Sequence, residues 1–160
     1  MLVGLLFLVG CSGPTISKKS NLTEIDNNAT LALYPLDNYT DTPRAGLRAS
    51  NIIEGVLLSQ GYKVSSYVDE ENHELTLSSK LEEAKQNHID YLFLGGISEW
   101  RYKTGIDGEP AISLHLKCMD VKTKKIVWSA IGSNNSWGNA SIGTVAQELI
   151  VSMIDKKILK

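Results

Sequence analysis

Apolar residues crowd positions 1–10, thin out over the next nineteen, and then return in short blocks with two different periods. Thr30 to Leu36 is a brief apolar run interrupted by proline, and it predicts a buried strand. Pro43 suits the first turn of a helix that Thr42 or Asp41 would cap. Ala49, Ile52, Ile53, Val56 and Leu57 then recur at helical spacing up to Gly61. Tyr62 to Val68 alternates as a second strand does, and Asp69 to Glu74 is a charged loop. Ser79 followed by Glu82 is a capping-box pattern, opening a modest helix through Leu81, Ala84 and His88.

Asp90 to Ile97 is apolar and too short for a helix before Gly95 and Gly96, so it predicts a central strand. Ser98 to Lys103 alternates, with Trp100 and Tyr102 on one face and Glu99, Arg101 and Lys103 on the other. Asp107-Gly108 supplies turn chemistry. A further strand carries Ile112, Leu114, Leu116 and Cys118 on one face, and Asp120 to Lys124 turns the chain into Ile126 to Ile131, completing an antiparallel meander. Ile142, Val145, Ala146, Leu149, Ile150, Met153 and Ile154 form a helical stripe, with Lys156, Lys157 and Lys160 near its negative end. The order β-α-β-α-β-β-β-α predicts an α+β fold, one mixed sheet with helices packed against it. Residues 30–160 read as a single domain without internal repeats.

The apolar start has a different meaning. It closes with Leu8-Val9-Gly10-Cys11, which looks like a bacterial lipobox, so residues 1–10 read as a lipoprotein signal peptide and Cys11 as the lipid anchor. Eleven residues are too few to cross a bilayer as a helix. No charge precedes Lys18, where a secretory signal would open with Lys or Arg, a gap that a start codon placed too late would explain. Residues 11–29 are polar, contain Gly13 and Pro14, and read as a lipidated flexible tether with a full reach on the order of 60 Å.

Composition narrows the chemistry. With 16 basic and 18 acidic residues the chain is nearly neutral, so bulk charge points to no nucleic-acid partner. If Cys11 carries lipid, Cys118 has no disulfide partner, and its phase with Ile112, Leu114 and Leu116 makes it a small buried apolar residue. His73, His88 and His115 have no metal-ligand spacing. No cofactor motif appears: Gly95-Gly96 lacks the further glycines and following helix of a phosphate cradle and marks close packing or a bulge. No Gly-x-Ser-x-Gly elbow occurs. Asp107 and Glu109, beside Trp100 and Tyr102, resemble a sugar-facing arrangement, but hydrolysis would need two carboxyl groups at a set separation across one bond.

Several blocks carry a family resemblance. Leu36 to Ala49 (LDNYTDTPRAGLRA), Glu99-Trp100-Arg101-Tyr102-Lys103, Gly105 to Ala111 (GIDGEPA), and Val127-Trp128-Ser129-Ala130 with Trp137 resemble the PelC family, outer-membrane lipoproteins of Pel exopolysaccharide export. The resemblance spans most of the chain after the tether.

It implies a non-enzymatic protein, lipid-anchored on the periplasmic face of the outer membrane. About a dozen copies would close into a ring by rotational symmetry beneath a PelB-like barrel. An electronegative funnel would guide a cationic, partly deacetylated amino-sugar polymer into that barrel for the biofilm matrix. By this resemblance Cys11 is the lipid anchor, Trp137 a membrane contact, and Asp107 and Glu109 part of the acidic lining. Arg44, Arg48, Trp100, Arg101 and Tyr102 are candidate subunit-interface residues, although the three arginines could pair within the chain, and Trp100 and Tyr102 could be core. Trp128, in phase with Ile126 and Ala130, belongs to the core. Ser12 after the cysteine favours the outer membrane. Two other readings stay open: a regulatory envelope lipoprotein binding a cell-wall synthase, and a curli-pore-like secretion lipoprotein, which would need lipid-facing hairpins of about ten-residue strands.

Overall fold

The computed structural model describes residues 13–20, 25, 28–68, 75–102, 108–136 and 140–154. Their order is β1 (Thr15–Ser20), β2 (Thr30–Leu33), β3 (Asp37–Asn38), α1 (Ala45–Ser59), β4 (Lys63–Ser66), α2 (Leu77–Gln86), β5 (Tyr91–Tyr102), β6 (Pro110–Asp120), β7 (Ile126–Asn135) and α3 (Ile142–Met153). From Thr30 onward this is the expected order with the two-residue β3 added. All seven strands join one mixed sheet in the order β1-β7-β6-β5-β2-β4, with β3 beside β5. β2 runs parallel to β4 and β5, whereas the β5-β6-β7 meander and β1 are antiparallel.

The path places the helices. The chain steps outward from β2 to β4 through α1 and inward from β4 to β5 through α2. Right-handed crossovers in opposite directions put those two helices on opposite faces. α1 and α3 cover one face, burying Leu33, Phe93, Ile112, Leu114, Leu116 and Trp128. The α3 stripe contributes Val145, Ala146, Leu149, Ile150 and Met153, all fully buried, at about 1.5–3 kcal/mol for each large side chain. α2 is ten residues long and covers the other face only over Ala32, Tyr34, Leu92 and Met119. Beyond it the second face of β6, β7 and β1 stands open, with Ile131 61% exposed.

The tether reading of residues 11–29 does not hold for Thr15–Ser20, which form β1 and pair along β7 from Thr15↔Ser133 to Ser20↔Trp128. A ladder is made by backbone groups, so this polar segment, whose only apolar side chain is Ile16, showed little of it. Ile16 packs on the core, and Ile25 is buried within it. Lys18 Nζ donates to the Ser152 carbonyl near the end of α3, a cation at a helix's negative end. Lys156, Lys157 and Lys160, expected there, lie outside the described residues.

Both early helix starts also differ. α1 has Arg44 as its N-cap in the left-handed region (φ 61°) with no side-chain cap. α2 is capped by Thr76, whose Oγ1 accepts the Ser79 N–H at 3.2 Å, so the cap lies three residues before the box read at Ser79 and Glu82.

Candidate functional site

Four strand ends meet at one end of the sheet. The carboxyl ends of β5 and β7 and the amino ends of β6 and β1 converge there, through the pairings Tyr102↔Pro110, Ala111↔Asn135 and Thr15↔Ser133. The Ser136 N–H donates to the Pro110 carbonyl at 3.3 Å. Two helix starts are tied to the same end. Thr42 Oγ1 donates to the Trp100 carbonyl at 2.6 Å just before α1, and the Ile142 N–H donates to the Tyr102 hydroxyl at 3.1 Å. Ser141 caps α3 by accepting the Thr144 N–H at 3.1 Å.

Most of the described candidate residues gather at this end. Glu109 is half-buried just before β6, and Tyr102 is 51% exposed at the end of β5. Arg44 and Arg48 are exposed at the start and first turn of α1. Arg101 Nε pairs within the chain with Glu99 Oε1 at 3.0 Å, and Glu99 Oε2 accepts from Ser113 Oγ at 3.3 Å. Cys11, Asp107 and Trp137 lie outside the described residues, as do Lys103 and His73.

Trp100 corrects the interface assignment. At 3% exposure it belongs to the core under α1 and α3. The cause is a bulge in β5 between Ile97 and Glu99. One extra residue shifts the phase, so that Ile97 and Trp100, three apart, both face the helices.

Elsewhere the candidate chemistry is quiet. Cys118 is buried, and burial, reinforced by the charge of Asp120, pushes its thiol pKa far up. His115 lies on the open face, opposite in phase to Cys118. Its pKa is lowered, first by desolvation and then by Lys117, with Asp37 acting weakly the other way. Among the described residues no group of three or more His, Cys, Asp or Glu could hold a metal ion, and no helix is long and apolar enough to cross a membrane.

This fold is found in solved proteins. PelC from Paraburkholderia phytofirmans, solved as a dodecamer, is similar to this chain with 30% identity over 91% of the chain and 97% of its own length, at a TM-score of 0.78. The chain belongs to the PelC family. A point variant of the same Paraburkholderia protein, also a dodecamer, superposes at a TM-score of 0.79 with 29% identity. A lipoprotein of Neisseria meningitidis shares the fold at 18% identity and a TM-score of 0.59, over 80% of this chain and 96% of that one. No family model matches the chain, and no curated protein does.

Membership gives the sheet end its interest. Two of the blocks that carry the PelC resemblance, Glu99 to Lys103 and Gly105 to Ala111, include the end of β5 and the start of β6, and Trp137 follows β7 closely in the sequence. Sequence reasoning missed β1, whose amino end at Thr15 lies at that same end.

Proposed function

We propose that this PelC-family chain is a non-enzymatic, lipid-anchored component of Pel exopolysaccharide export at the periplasmic face of the outer membrane. Copies close into a ring of about a dozen beneath a PelB-like barrel, since a head-to-tail contact that returns on itself makes a ring. The observation that carries the reading is the likeness to a dodecameric PelC over nearly the full length of both chains.

The geometry supports a membrane-facing end. Cys11 stands four residues before Thr15, so a lipid there would lie within about 14 Å of the sheet. The Trp137 segment leaves β7 at the same end, where an indole at the lipid surface gains apolar burial and a hydrogen bond. Asp107 and Glu109, repeated around a ring, would concentrate a cationic amino-sugar chain by long-range attraction without fixing it in one place. That attraction fades as salt rises.

The test is the mass of the full chain in detergent, by light scattering. A particle of about twelve copies supports the ring. A monomer in detergent that also fails to cross-link into higher species in membranes overturns it.

A further inference from the structure

One part of the family segment Leu36 to Ala49 has no place in the anchor, the ring or the acidic lining. Tyr39 is 65% exposed, yet it is firmly held. Its N–H donates to the Ile97 carbonyl at 2.9 Å, and its hydroxyl donates to Asp37 Oδ2 at 3.1 Å. Beneath the ring is Gly96, where a Cβ would stand 2.5 Å from Tyr39 Cε2 and 3.0 Å from His115 Cε1. The missing side chain lets both rings settle onto the sheet.

These residues border a groove of about 590 Å³ on the open face, between the β3 loop and the start of α2, a size typical of small-ligand clefts. Leu77 forms the far wall, while Leu94, Met119 and His115 line the floor. Lys117 and Lys80 also border it, and Lys80 lies over the Tyr34 ring at 5.3 Å. A rigid exposed aromatic face with a carboxylate at its edge suits a pyranose, whose C–H face is apolar and whose hydroxyls donate. Two nearby ammonium groups disfavour a cationic sugar.

We propose that this groove binds a neutral N-acetylated hexosamine unit. Tyr39 stacks on the pyranose, Asp37 accepts from its hydroxyls, and the acetamide methyl rests against Leu94 and Met119. The proposal deepens the export reading and rests on it in one respect, that the cargo is an amino-sugar polymer. Free amines are then the concern of Asp107 and Glu109, and acetylated units that of the groove.

The full chain in detergent is titrated calorimetrically with three probes: the trimers of N-acetylglucosamine, glucosamine and glucose. The acetylated trimer should bind at least about tenfold tighter than the others, and Tyr39→Ala should weaken it about tenfold or more. Tyr39→Phe, which keeps the stacking face, should lose only a few-fold. Leu77→Asp, an exposed wall change that leaves the sheet intact, should also weaken binding and serves if Tyr39→Ala does not fold. No binding of the acetylated trimer, equal affinity for all three sugars, or unchanged affinity in the folded variants overturns the proposal. Particle mass measured on the same samples separates the two readings. A ring without sugar binding sinks only the groove, and a monomer that also fails to cross-link in membranes sinks the ring whatever the sugars do.

Discussion

Thr15 stands opposite Ser133 in the β1–β7 ladder, and this pairing decides where the amino-terminal segment leaves the domain. It leaves beside the carboxyl end of β7, shortly before Trp137 in the sequence. Cys11→Ser should move the protein from the membrane to the soluble fraction. Trp137→Ala should weaken membrane association or export while the melting temperature stays put. A large drop in melting temperature would instead place Trp137 in the core.

The start of α1 is stitched to the link between β2 and β3. The Leu36 N–H donates to Ser50 Oγ at 3.0 Å, and Ser50 Oγ donates to the Gly46 carbonyl at 2.9 Å. A Cβ on Gly46 would lie 2.0 Å from the Leu36 carbonyl oxygen, a backbone atom that cannot swing aside. Gly46→Ala should therefore destabilise by about 3 kcal/mol or more. Ser50→Ala, leaving a buried N–H unpaired, should cost about 1–3 kcal/mol. Urea unfolding of both variants checks the order.

Cys118 should be inert to iodoacetamide in the folded protein at pH 8. Its thiol is buried and its pKa is raised by that burial, and only the thiolate attacks. Alkylation followed by mass spectrometry should track global unfolding in denaturant. Rapid modification of the native protein would contradict the buried placement.

His115 should make stability fall as pH drops. Its folded pKa lies below the ordinary 6.5 because the charged form is desolvated and faces Lys117, so the unfolded chain binds more protons in that window. Its contribution is fully present above pH 6.5 and is lost progressively as pH falls from there to the folded pKa. His115→Gln should flatten that part of the melting-temperature profile. An NMR titration of the imidazole with a midpoint above 6.5 would refute the assignment.

Where side chains alone define an element, the sequence was enough. The 3.6-residue stripe from Ile142 to Met153, the alternation Ile112-Leu114-Leu116-Cys118 and the glycine-limited run before Ile97 each declare which face is buried. They yielded α3, β6 and β5, the buried Trp128 and Cys118, and the α+β order. The sequence also carried the blocks that resemble the PelC family, because those are particular residues in a particular order.

Contacts made through the backbone, or between distant segments, were decided only by the tertiary structure. β1 and β3 exist because partners 108 or more and 59 residues away offer free ladder groups. No local period announces such pairing. The bulge that turns Trp100 inward depends on its register with β6, and the caps of α1 and α2 on how the chain arrives. The cleft of Tyr39 and His115 forms because parallel and antiparallel pairing bring Asp37 and His115 to opposite sides of Gly96. Side-chain periodicity is a property of neighbours along the chain, whereas a ladder, a bulge and a cleft are properties of neighbours in space.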